Sequence, residues 1–406
     1  MDFSLTDEHR EWQARCRRFA AEAIRPVAAE LDREERFPWE VLRAAREAGL
    51  YDGGLLMRWA ADEHGLMAAI YAEEMHWGCA GVALALGAST GVAAAIAGQG
   101  TPEQVEEWLP LLYGEGDEVN VAAYAVTEAQ AGSDVSAIRT TARPDGDGWV
   151  LDGEKVMIGN AGIAEASLVV ATVDPSLGHR AQASFLVRRG TPGLEHGRPY
   201  SKLGVRASCT SEIVLRGCRV PGDALLGGRE ALEGRLERAR ERARDGGSAA
   251  PRAGGGSSRV LALAEITRPL FAAGAVGIGR AALEWAIERL ESLPEADRRL
   301  ADEVVADVAT ELEAARLLAW RAASLARRGV PLTGAQGSMS KLKASEVAVW
   351  AAGALMDAVG PAAASADCPL GKHLRDAKVF EIFEGTSQVQ RTVIARLQRE
   401  LHAGAA

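Results

Sequence analysis

The sequence predicts an α+β chain, with an N-terminal helical domain, a middle antiparallel β domain and a C-terminal four-helix bundle. Apolar residues recur at helical spacing from Thr6 to about Gly114. Near Val119 the period changes to short strand-like runs separated by Gly, Pro and Asp. Beyond Leu261 long helical patterns return. The same changes set the boundaries: a helical domain over 1–118, a β domain over 119–226, a charged and Gly/Ser-rich linker over 227–258, and a bundle over 259–406.

In the first domain, Thr6 with Asp7 and Glu8 opens a helix whose buried stripe is Trp12, Cys16, Phe19 and Ala20. Phe37-Pro38-Trp39 interrupts the pattern and starts another helix that runs to Gly49. Ala80 to Ala97 is small and apolar all round, the pattern of a buried helix. Thr101-Pro102 supplies a cap and a first-turn proline. In the second domain, strands are expected at Trp149–Ile158, Ser167–Val173, Ala183–Val187 and Glu212–Val220, with Pro221 ending the series.

Arg229 to Arg244 reads as a solvated helix with i,i+4 charge pairs. Gly246 to Ser258 has too little apolar surface to order itself and reads as a surface linker. Four long helices follow, over Ala262–Leu290, Leu300–Arg328, Gly334–Val359 and Asp376–Leu401. Gly274-Ala-Val-Gly-Ile-Gly279 superficially resembles a dinucleotide fingerprint, but no strand precedes it and it lies within a helix; close helix packing explains it better.

A net charge of −10 and few aromatic residues exclude a nucleic-acid surface as the main business of the chain. The five cysteines are scattered without a CxxC pair, so neither a zinc site nor a disulfide framework is signalled. The seven histidines show no ligand spacing, and no metal is expected. The N-terminus lacks the apolar core of a signal peptide, and no uninterrupted apolar run of bilayer length was found. A cytoplasmic protein without a membrane role is the expectation.

The chemistry points to Asp376-Ala-Lys-Val-Phe-Glu-Ile-Phe-Glu-Gly-Thr-Ser-Gln-Val-Gln-Arg391. Glu384 follows an apolar helical face of Val379, Ile382 and Phe383 and precedes Gly385, where the helix would end. A carboxylate beside apolar side chains at a backbone break tends to a raised pKa and can serve as a general base. Most glutamates near helix ends are simply solvated. Earlier in the chain lies Ala125-Val-Thr-Glu-Ala-Gln-Ala-Gly-Ser-Asp-Val-Ser-Ala137, whose Gly132-Ser133-Asp134 can be a simple turn or an anion cradle.

The first of these runs closely resembles the C-terminal signature of the acyl-CoA dehydrogenase family of flavoproteins, and the second resembles that family's other signature. The likeness extends from Phe3 to about Leu397. It implies FAD held between the β domain and the bundle. Tyr124, Val126 and Thr127 would lie against the flavin ring, Gly132 and Ser133 at the pyrophosphate, with Thr386 and Gln388 also in contact with the cofactor. Met157 stands where the family usually has an aromatic ring-stacking residue, and Gly159 where it usually has a serine or threonine. Ser133, Arg268, Phe383 and Gly385 would face the substrate, although Arg268 reads equally as a solvated or interface arginine.

The reaction implied is α,β-dehydrogenation of an acyl thioester of CoA or an acyl carrier protein. Glu384 would be the α-proton base, and its own backbone N–H a donor to the thioester oxygen. Thr267 matches the position where some members carry the base on the first bundle helix. Threonine cannot do that work. The resemblance further implies an electron-accepting flavoprotein partner and a homo-oligomer (dimer or tetramer) or a hetero-oligomer with a related subunit. Two family motifs that complete a neighbouring cofactor pocket are altered here, over Leu290–Arg299 and Asp357–Ala363. They imply weaker FAD retention by the chain alone, and leave a degenerate, non-catalytic subunit as the alternative.

Overall fold

The computed structural model describes residues 4–244, 259–292, 294–330, 332 and 335–404. The chain opens with helices α1 (Asp7–Phe19), α2 (Arg25–Glu34), α3 (Trp39–Glu47), α4 (Gly54–Ala61), α5 (Met67–Gly78), α6 (Ala80–Gln99) and α7 (Pro102–Tyr113). Their ends follow local chemistry. The Thr6 hydroxyl accepts the His9 N–H at the start of α1, and Thr101 forms a reciprocal capping box with Gln104 at the start of α7. Helix α6 buries most of its circumference, with Val82, Leu86, Val92 and Ile96 fully buried, and leaves one face of small residues, Gly87 and Ala97 among them, exposed.

Seven strands follow: β1 (Ala122–Ala125), β2 (Thr141–Asp145), β3 (Gly148–Gly159), β4 (Ala166–Thr172), β5 (Gln182–Arg188), β6 (Leu194–His196) and β7 (Thr210–Val220). They form one sheet in the order β1-β4-β2-β3-β7-β6, with β5 also paired to β4. Among the described residues four of the six pairings are antiparallel; β1 and β2 run parallel to β4. The two parallel strands meet β4 one after the other, β1 at Ala166–Val169 and β2 at Thr172. The loop over 126–140 is therefore thrown out between two strands running the same way. That loop carries Thr127, Gly132 and Ser133.

The charged segment after the sheet is helix α8 (Gly228–Arg244), the helix expected there, but it is not solvated all round. Leu232 and Leu236 sink into the β-domain core, and Arg235 donates to the Gln182 carbonyl at 3.1 Å. The arginine and glutamate excess hid an apolar stripe one turn apart. The Gly/Ser-rich stretch, over 245–258, lies outside the described residues.

The bundle comprises α9 (Arg259–Leu290), α10 (Glu295–Arg327), α11 (Gln336–Val359), α12 (Pro369–Lys378) and α13 (Ser387–Gly404). The single helix expected over Asp376–Leu401 is broken. A 3-10 turn at Val379–Glu381 leads to Glu384 and Gly385, both left-handed with φ 54 and 90°. Helix α9 packs closely on α5 and α10 through its glycines. A Cβ on Gly277 would lie 2.2 Å from the Glu73 carbonyl oxygen, and one on Gly279 would lie 2.5 Å from Leu312. This is the packing role expected for the glycine run, and Arg280 and Arg316 reinforce it by pairing with the buried Glu73 at 2.6 and 3.0 Å.

The expectation that no apolar run reaches bilayer length needs correction. Ala80–Gln99, Ile266–Leu290 and Gln336–Ala364 are long and apolar enough to cross a membrane. In α6 and α9 two thirds of the apolar window is buried inside the protein, which explains that composition without lipid.

Candidate active site

Glu384 stands at the backbone break between α12 and α13. Ring packing fixes its approach: Phe383 meets Phe271 of α9 at 4.7 Å and Phe380 at 4.9 Å between ring centroids. Its carboxylate accepts the Thr267 hydroxyl at 2.8 Å. Burial raises the Glu384 pKa above the ordinary carboxylate value, while the Thr267 hydrogen bond and the charges of Arg268 and Lys341 oppose that rise. Thr267, which cannot act as a base, thus holds the base on the neighbouring segment.

The left-handed turn is tied from behind by two buried side chains. Gln390, fully buried, donates through Nε2 to the Glu384 and Gly385 carbonyls, both at 3.0 Å. Lys341 of α11, 1% exposed, donates to the Gly385 carbonyl at 2.7 Å. Glycine is required at 385 because its φ is 90° and a Cβ there would lie 2.6 Å from Gln390 Nε2. Arg268 is buried beside the same cluster and reaches Ser338 Oγ at 3.4 Å, so the solvated reading does not hold. The Thr386 hydroxyl accepts the Val389 N–H at the start of α13, and Gln388 is exposed one residue beyond Ser387.

The β domain faces this segment through Tyr124 of β1. Its hydroxyl pKa is raised by burial and by the charge of Glu384, which places the two side chains in one electrostatic neighbourhood. The domains are joined nearby by the Val205 N–H, which donates to the Asp376 carboxylate at 2.6 Å.

Beyond Tyr124 the loop is organised by Glu128, which is 4% exposed. The carboxylate accepts the Arg139 and Thr140 backbone N–H groups at 2.7 and 2.9 Å and the Lys155 ammonium at 2.8 Å. Burial pushes its carboxyl up, but the Lys155 charge and the hydrogen bonds prevail and hold it at about 2. Lys155 also donates to the Val126 carbonyl at 2.9 Å, and the Val156 N–H to the Thr127 carbonyl at 2.9 Å. The loop is thereby bound to β3 just ahead of Met157.

Several of the residues assigned to the cofactor are poised for cover. Met157 has a left-handed backbone, φ 57°, and leaves its apolar side chain 57% exposed. Gly132, Ser133 and Gly159 are exposed, and a Cβ on either glycine would meet nothing within 4 Å. An apolar side chain held outward beside open backbone suits a flat ring, and exposed amides at Gly132-Ser133 suit a diphosphate. The residues present fit FAD. Sequence reasoning identified Glu384 and the loop but missed Glu128, Lys155, Lys341 and Gln390, the side chains that hold them.

Comparison with known proteins agrees with this architecture. Family models described as the N-terminal, middle and C-terminal domains of acyl-CoA dehydrogenase match residues 6–115, 123–218 and 254–398. The mitochondrial short-chain specific acyl-CoA dehydrogenase of Bos taurus is 34% identical over 402 residues, covering 96% of this chain and 90% of the bovine protein. The structure of glutaryl-coenzyme A dehydrogenase in complex with glutaryl-CoA superposes with a TM-score of 0.86 at 29% identity, covering 98% of this chain and 97% of that one. An FAD complex of PigA superposes with a TM-score of 0.84 at 25% identity, covering 98% of both chains. The chain belongs to the acyl-CoA dehydrogenase family, FAD-dependent oxidoreductases acting on CH–CH groups.

Proposed function

We propose that the protein oxidises an acyl thioester to its α,β-unsaturated form, with Glu384 as the base that removes the α proton. The observation that carries this reading is the Glu384 carboxylate itself: raised by burial, aimed by Thr267 and facing the β-domain loop through Tyr124. A base whose pKa is lifted toward the working pH both accepts the proton well and remains ionised enough to start. The α-carbon proton passes to Glu384 and its bonding pair becomes the new double bond. FAD, when bound, supplies the hydride acceptor for the β hydrogen. The Glu384 N–H would donate to the thioester oxygen, where negative charge develops as the α proton leaves. Phe383 packs on Phe271 next to the base and gives that side of the site an apolar wall.

Val126, Thr127, Met157 and Gly159 would hold the ring, and Gly132 and Ser133 the diphosphate. A separate electron-accepting flavoprotein would reoxidise the enzyme. Glu384→Gln tests the base assignment, because it removes the carboxylate at equal size. Mixed with a short acyl-CoA, the variant should bleach bound flavin roughly a hundred- to ten-thousand-fold more slowly than the parent at unchanged flavin content. Equal bleaching rates would contradict the reading.

A further inference from the structure

Resting on that reading, we propose that Lys341 is a positioning residue for the base: its ammonium pins the Gly385 carbonyl, holds Glu384 in its left-handed turn and keeps the carboxylate ionised. Lys341 is among the largest fully buried side chains of the protein. An ammonium is seldom buried to that extent without a charge partner. Yet among the described residues no carboxylate lies within ion-pair distance of it, and its hydrogen bond goes to a backbone carbonyl, the one following the base. A neutral donor would satisfy that carbonyl at lower desolvation cost, and Gln390 already does.

What distinguishes Lys341 is its charge next to Glu384. Burial lowers its pKa to about 8, the charge of Glu384 raises it, and Arg268 lowers it, with Glu381 and Glu346 as further raising charges. Around Glu384 the interacting groups are Thr267 and Arg268 on α9, Lys341 on α11 and Tyr124 on β1. Two of these four are cationic side chains. Arg268 contacts Ser338 one turn before Lys341 on α11, so the two cations approach the base from different helices.

The geometry also gives the lysine mechanical leverage. Consecutive left-handed residues at Glu384 and Gly385 are costly for the glutamate, and such a turn persists only where its surroundings over-determine it. The bond from Lys341 locks the Gly385–Thr386 peptide, one residue beyond Glu384, while Thr267 locks the carboxylate. Loosening the first lets the base swing even when the second is intact.

Lys341→Met removes charge and donor; Lys341→Gln removes the charge but keeps a donor. Both should move the acid limb of the kcat/KM–pH profile upward by about one pH unit, because an ionised base loses a neighbouring cation. Only the Met variant should also lose about ten- to a hundredfold of the plateau rate, the cost of a misplaced base. A lysine with a purely structural role would lower the melting temperature and the plateau but leave the acid limb in place, and that result overturns the proposal. Should both variants aggregate, Gln390→Met decides. It removes the other donor without touching charge, so the plateau should fall with an unmoved limb, and a limb shift of one unit there would overturn the charge assignment. The two claims fail separately: an inert Glu384→Gln with unshifted Lys341 variants sinks this proposal alone, whereas an active Glu384→Gln sinks the base assignment on which it rests.

Discussion

Two buried lysines hold the two halves of the site, and they do so in different ways. Lys155 on β3 secures the loop over 126–140 through the Val126 carbonyl and ends on Glu128, an ion pair at 2.8 Å with both side chains almost wholly buried. Lys341 on α11 secures the base segment through the Gly385 carbonyl, with no carboxylate in direct contact among the described residues. The first lysine is matched, so its charge stays within the pair that ties the loop to β3. The second leaves its charge to act on Glu384. The cofactor side of the site is thus built for shape, and the base side for titration.

The comparison is broken most forcefully at Lys155. Lys155→Met strands a buried carboxylate, and leaving one partner of a buried pair costs about 3–5 kcal/mol. Equilibrium denaturation should show a loss of that order, together with reduced flavin content, because the loop over 126–140 loses its tie to β3. A loss below about 1 kcal/mol would mean that the Arg139 and Thr140 donors suffice alone. Lys341→Met, which strands no paired carboxylate, should change stability by less than Lys155→Met in the same measurement.

The pH dependence of stability sharpens the contrast, because the two carboxylates move in opposite senses. Glu128 is held down to about 2 from an ordinary 4.5, so its contribution is complete above pH 4.5 and is lost as the pH falls toward 2. Glu384 is raised, so its contribution is present below its ordinary pKa and is lost as the pH rises through the folded value. Glu384→Gln should therefore melt higher than the parent at neutral pH, by a few degrees. The gain should vanish in acid. A variant that melts lower at pH 7 would show that the carboxylate is stabilised in place and is not poised as a base.

Thr267→Val probes a smaller effect. It removes one hydroxyl donor to a charged acceptor, an interaction worth roughly 1.5–3 kcal/mol. The rate should fall about tenfold or more near neutral pH and recover partly at higher pH, since the base titrates later. Thr267→Ser should restore the parent profile. Smallest of all, Met157→Leu keeps an apolar cover at the ring position and should leave flavin content nearly unchanged, whereas Met157→Asp should lower it.

Much of this was legible in the sequence. The change of period near Val119 and its return after Leu261 reported the layered architecture, and Thr101-Pro102 reported a helix start that the structure realises as a capping box. Glu384 before Gly385 was visible as a break. The supporting shell was harder to see, because a lysine reads as solvent-facing by default. One signal was available: Lys341 lies in register with Ser338, Ala344, Ser345 and Ala348, all buried, so a charge sits on the small-residue face of α11. Helix α8 shows the reverse error. There Leu232 and Leu236 form a buried stripe that the surrounding arginines and glutamates outweigh in composition. Long-range partners such as Glu128 with Lys155, or Thr267 with Glu384, depend on which segments the fold brings together, and local periodicity carries no record of that.

The central claim is that Glu384 takes the α proton, and isotope exchange reads that step without oxidation. A thioester that has α hydrogens but cannot transfer a β hydride should exchange its α proton for deuterium in D₂O when incubated with the parent protein. The account predicts that this exchange falls at least about a hundredfold in Glu384→Gln at equal fold and flavin content. Exchange at the parent's rate in that variant would contradict it.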